Sequence, residues 1–121
     1  MNKYFISFVF SACINSHVFA QEANKVDDSD LQLINTTTQD YNLCVQQNAL
    51  RIFDDYDDIR HVAAHAVESC EDKFEVFKEK SESTGKTHFY SGMQRTIKNR
   101  AIRKLLPLLM FEKSSRQQTN S

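Results

Sequence analysis

The chain has no tryptophan, a single proline and two glycines. So few chain breakers exclude the frequent tight turns that sandwiches and barrels need. No stretch of convincing length alternates apolar with polar residues, so a sheet-based architecture has no support either. The motifs that carry chemistry are also missing. There is no G-x-S-x-G, and Gly85-Lys86-Thr87 matches only the end of a phosphate-binding loop. Lys80 stands where its upstream glycine is required, and no strand precedes it. Asp54–Asp58 is acidic but lacks the glycine and the distal glutamate of an EF-hand, so helix capping and turn solvation account for it. The expectation is a protein without enzymatic activity and without a cofactor. No motif in it resembles that of a known family.

Cysteine is scarce but informative. There are three, and Cys13 lies in a segment that reads as a cleavable signal peptide. Lys3 makes the positive n-region, Tyr4–Ile14 is an apolar core too short for a permanent span, and Val18-Phe19-Ala20 supplies small residues at −3 and −1. Cleavage is expected between Ala20 and Gln21. Ser11-Ala12-Cys13 offers a competing lipoprotein-type site, which would leave the protein anchored by Cys13. Removing residues 1–20 leaves 101 residues, enough for one small domain with one modest core. No later apolar run approaches membrane-spanning length.

Export leaves Cys44 and Cys70 as the only pair, and an oxidising compartment favours their disulfide. Asp57 is thirteen residues from each, inside the acidic stretch Phe53–Ile59. If the chain reverses there, the cysteines meet at the same height on two antiparallel helices. A single straight helix would hold them about 39 Å apart and forbid the bond.

The apolar spacing supports the reversal. Leu31, Ile34, Thr38, Tyr41, Val45, Asn48 (or Ala49) and Ile52 step by three and four, with Ser29 and Gln32 patterned as a capping box. Thr36-Thr37-Thr38 weakens this helix and marks a possible break. A second stripe runs through Ile59, Val62, Ala63, Ala66, Val67, Cys70, Phe74 and Phe77, with Gly85 as its expected stop. A third helix is expected from Phe89 to Phe111 on Met93, Ile97, Ala101, Leu105 and Leu109. Pro107 should kink or end it. The predicted fold is therefore all-α: an antiparallel hairpin stapled by one disulfide, with a third, basic helix packed across it. The domain is expected over 31–111, with disordered flanks at 21–30 and 112–121.

Charge is split between the halves. Residues 21–82 hold fifteen acidic and six basic side chains, a balance of −9, whereas 83–121 hold one and eight, a balance of +7. Arg95, Lys98, Arg100, Arg103 and Lys104 thus form a candidate surface for an anionic partner. The competing explanation is internal, the basic third helix neutralising the acidic hairpin. Export argues against nucleic acid. His61 and His65 lie one turn apart, and Asp57 and Glu68 extend the stripe, a donor set suited to zinc although no glutamate base of the H-E-x-x-H type is present. A solvated polar helix face explains the same four residues. Asn35-Thr36-Thr37 is a glycosylation triplet, relevant only in a eukaryotic secretory route.

Three functions follow from these features. The leading one is a small exported protein, periplasmic or otherwise secreted, that binds another envelope or secreted protein as an accessory or inhibitor-type factor. The alternatives are peripheral contact with an anionic membrane surface through 89–111, and zinc binding at His61 and His65.

Overall fold

The computed structural model describes residues 26–119. The expected signal peptide, the Ala20/Gln21 junction and Cys13 lie outside the described residues. Those residues form four helices and no strand: α1 (Asp28–Ile52), α2 (Ile59–Ser69), α3 (Glu75–Thr84) and α4 (Thr87–Thr119). Short 3-10 turns at Phe53–Asp55 and Glu71–Phe74 join the first three. None of these helices is long and apolar enough to cross a membrane.

The start of α1 differs from expectation. Its cap is Asp27, whose carboxylate accepts from the Asp30 amide at 2.9 Å while the Asp30 carboxylate accepts from the Asp27 amide at 3.2 Å. This reciprocal pair replaces the predicted Ser29–Gln32 box, because Ser29 instead donates its hydroxyl to Asp27 at 3.0 Å. The expected disordered lead-in therefore ends before Asp28. Nor does the threonine run break the helix. Thr37 is buried, and the Thr38 hydroxyl bonds back to the Ile34 carbonyl at 2.6 Å.

The chain reverses within Phe53–Ile59, as the cysteine spacing requires. Asp58 caps α2 through the Arg60 amide at 2.9 Å. The return arm then departs from the single predicted helix, because it breaks at Cys70. The carbonyl of Val67 takes the Cys70 amide at 3.3 Å and the buried Tyr41 hydroxyl at 3.4 Å, so the carbonyl freed by the break stays bonded. Glu71 and Asp72 stand in the first turn of the new segment, where the helix dipole favours acids. Gly85 ends α3 in a left-handed conformation, φ 73°, with its amide on the Ser81 carbonyl at 2.8 Å.

Pro107 does not end α4, and the expected disordered tail from 112 is helical through Thr119. Leu109 beyond the proline is buried, and Arg116 clamps the last turns. The Arg116 guanidinium reaches Asp54 at 2.6 Å and Glu112 at 2.9 Å and lies 4.3 Å from the Phe53 ring centroid. Docking thus compensates for the amide that proline lacks.

One core unites the elements. Ile34, Tyr41, Val45 and Ala49 of α1 face Val62, Ala63, Ala66 and Val67 of α2, and Tyr90, Ile97, Ala101, Leu105 and Leu109 of α4 close it. Ala49 rather than Asn48 occupies the seam, and Leu31 points outward. An aromatic series runs through the lower half: Tyr41–Phe74 at 4.6 Å between ring centroids, Phe74–Phe77 at 5.6 Å and Phe77–Tyr90 at 5.1 Å. Such contacts contribute about 0.5–1.5 kcal/mol each beyond burial. The end contacts set direction. Asp30 meets Lys86 and Tyr90, and Asp54 meets Arg116, so α1 and α4 run parallel while α2 and α3 return between their ends.

Candidate functional site

Cys44 and Cys70 form the disulfide expected from their spacing, with Cα atoms 6.0 Å apart. Cys70 is fully buried and Cys44 half-buried. Asn48 covers the joint. Its amide nitrogen donates to the Cys44 carbonyl at 3.1 Å and lies 3.3 and 3.2 Å from the two sulfurs, while its oxygen accepts from Arg51 at 2.8 Å. The bond ties the middle of α1 to the break in the return arm, which is a structural role.

The histidine stripe is not assembled as its spacing suggests. Asp57 precedes the Asp58 cap and is outside α2, so the one-turn relation to His61 does not hold. His65 stacks on Tyr56 at 4.6 Å, and His61, His65 and Glu68 are exposed. Among the described residues no three His, Cys, Asp or Glu side chains are grouped to hold a metal ion.

The basic helix divides in two. Lys98 pairs with Glu71 at 2.8 Å and so serves the internal role. Arg95, Arg100, Arg103 and Lys104 are exposed and make no ion pair among the described residues. The internal explanation of the charge split therefore covers Lys86, Lys98 and Arg116, but not these four.

Apolar spacing alone did not reveal the cleft on the edge of Arg100 and Lys104. Ala49, Leu50, Leu105, Leu108, Leu109 and Phe111, with Gln46 and Glu112, line a cavity of about 180 Å3 between α1 and α4. Its floor is buried, but the rim is not: Leu50 is 55% exposed, Leu108 52% and Phe111 73%. Leu43 continues the exposed edge two turns before Leu50. The sequence signal is the run Leu105–Phe111, which supplies more apolar side chains than one core-facing stripe can bury. Exposed contiguous apolar surface of this kind marks binding sites. On the cleft side, α1 from 41 to 52 and the chain from 83 to 111 contain no Asp or Glu. The rim carboxylate of Glu112 pairs with Arg116 at 2.9 Å, a cation it shares with Asp54.

A buried polar cluster was also missed. Asp30 is wholly buried, and its carboxylate accepts from Lys86 at 2.6 Å and from the Tyr90 hydroxyl. The Lys86 ammonium, then the Tyr90 hydroxyl, hold the Asp30 carboxyl far below the usual carboxylate range, against its desolvation. Burial, reinforced by the Asp30 charge, pushes Tyr90 up. At the turn, the Arg60 side chain and amide lower Asp58 to about 2. The Asp30 cluster is satisfied and enclosed, so it joins helix ends rather than presenting a reactive group.

Compared with known proteins, the chain matches no family model, no curated protein and no solved structure.

Proposed function

We propose that this chain is a non-enzymatic binding protein of an exported compartment, an accessory or inhibitor-type factor that docks another protein at the α1/α4 cleft. The observation that carries the reading is the exposed rim of Leu50, Leu108 and Phe111 around an apolar cavity. Free large apolar side chains concentrated at one concave place are what a partner's anchor residues fill. Export rests on Lys3, Tyr4–Ile14 and the Ala20/Gln21 junction, and the oxidised Cys44–Cys70 pair is in keeping with it.

A photo-cross-linking residue placed at Phe111 and, separately, at the exposed Leu31 tests the reading in whole cells. A discrete protein adduct from position 111 that is absent from position 31 is expected. Identical adduct patterns from both positions, or none from position 111, count against it. A second reading rests on the outward Arg95, Arg100, Arg103 and Lys104: contact with an anionic membrane surface. Flotation with anionic vesicles decides it, since binding that survives neutralisation of all four removes the idea.

A further inference from the structure

The cleft has a shape and a charge that together specify its occupant. Its shape comes from α1 and α4 running side by side in the same direction, which leaves a trough along their outer junction. Leu43 and Leu50 on the α1 edge are two turns apart, about 10.5 Å along the axis. A third helix laid in such a trough meets them at matching two-turn spacing, ridges into grooves. The cavity of about 180 Å3 is also the right size for an anchor. A cavity of about 150 Å3 holds a benzene molecule, so this one accepts a single leucine or phenylalanine side chain.

The charge comes from the α4 rim. Lys104 lies one turn before Leu108 on α4, and Arg100 one turn before that, on the same edge of the helix. Arg51 follows Leu50 in sequence but turns away from the cleft, its guanidinium on Asn48 beside the disulfide at 2.8 Å. Arg100 and Lys104 are both exposed, 83–111 carries no acid to offset them, and the carboxylate lining the cleft, Glu112, is held by Arg116 at 2.9 Å. Such a field attracts carboxylates, repels a basic segment, and speeds encounter with an acidic one.

We infer that the α1/α4 cleft receives an amphipathic helix of a partner protein, its apolar edge seated on Leu50, Leu108 and Phe111 and its flanking carboxylates against Arg100 and Lys104. The inference rests on the protein-docking reading above and adds the partner's chemistry. A bilayer needs protruding side chains but no concavity, so the open-mouthed cavity between the helices favours the helix.

The test uses a labelled synthetic peptide of about five turns, ~18 residues, with Leu and Phe on one edge and Glu on both flanks. Fluorescence anisotropy with the oxidised protein is expected to show saturable binding that weakens as salt rises. Leu108→Glu, or Leu50→Glu on the other rim should the first fold poorly, is expected to weaken binding at least about tenfold. Arg100→Glu with Lys104→Glu is expected to reverse preference toward a peptide with Lys in place of Glu. No saturable binding, or binding indifferent to both the rim and the charge changes, overturns the inference. Self-association in size-exclusion chromatography that Leu108→Glu abolishes, without peptide binding, assigns the cleft to a second copy instead. Adsorption to vesicles with anionic headgroups under the same conditions assigns it to lipid. A specific cross-linked protein from position 111 alongside a failed acidic peptide overturns only the partner's chemistry and leaves the docking reading intact.

Discussion

At the scale of single residues, Asp30 carries more than its position suggests. A carboxylate with no access to solvent is stable only when bonded, and Lys86 and Tyr90 supply the bonds. Its folded-state affinity for protons lies below the ordinary value of 3.8. Its stabilisation is therefore fully present above about pH 4 and is lost as pH falls from there through the folded-state value. Asp30→Ala leaves Lys86 and Tyr90 without their acceptor, and breaking such a buried pair costs about 3 kcal/mol. In Asp30→Asn, urea midpoints at pH 7 and pH 3 should converge relative to wild type. Parallel acid profiles for the two proteins would show that Asp30 is not the linked group. None of this was legible from the sequence. Asp30 sits in a polar stretch that reads as capping, and its partners are 56 and 60 residues away. Local patterns carry no such information. The cysteine pair was legible for the opposite reason: removing Cys13 leaves one possible connection, and equal spacing about Asp57 fixes where the chain must turn. Cys70→Ser should cost about 2–5 kcal/mol. At about 4–8 °C per kcal/mol for a domain of this size, thermal melting should fall by at least about 8 °C. An unchanged melting temperature would show that the hairpin holds without its staple.

At the scale of elements, periodicity placed the helices and missed their ends. The buried positions of α4 follow the four-residue rhythm of Ile97, Ala101, Leu105 and Leu109, which Pro107 does not interrupt. Its continuation to Thr119 depends on tertiary contacts, because Ser114–Thr119 has little apolar content of its own. Arg116 provides them, meeting Phe53 and Asp54 of the first turn region. The break at Cys70 is similar: no glycine or proline announces it, and Tyr41 from another helix satisfies the freed carbonyl. Arg116→Ala should lower global stability by less than about 1 kcal/mol, since partly exposed ion pairs contribute little. Its effect should be local. Amide exchange over 113–119 should accelerate while that of 97–109 stays as in wild type. Equal acceleration in both segments would mean that the end of α4 unfolds only with the whole domain.

For the whole molecule, the split in charge resolves into two populations with different physics. Lys86, Lys98 and Arg116 each bond a carboxylate of the acidic half, and Lys113 donates to the Asp57 carbonyl at 3.4 Å. These contacts hold α4 against the other helices. Arg95, Arg100, Arg103 and Lys104 are exposed and make no ion pair among the described residues, and Arg100 and Lys104 share the helix edge of the exposed Leu108. The sequence made the imbalance between halves plain, but the partition depends on which helix edge faces the core, and that is set by packing. Replacing the four outward cations by glutamine separates the roles. Substitution at exposed sites without partners should leave stability within about 0.5 kcal/mol, while the attraction for an acidic probe should fall together with its dependence on salt. A stability loss of several kcal/mol would place these charges in the internal neutralisation of the hairpin. Full retention of salt-dependent binding would move the anionic contact to another face. The same measurements on Lys98→Gln should show neither large effect, because its partner Glu71 is itself about half exposed and the pair is solvent-screened. The comparison therefore asks of each cation whether it holds the fold together or reaches outward.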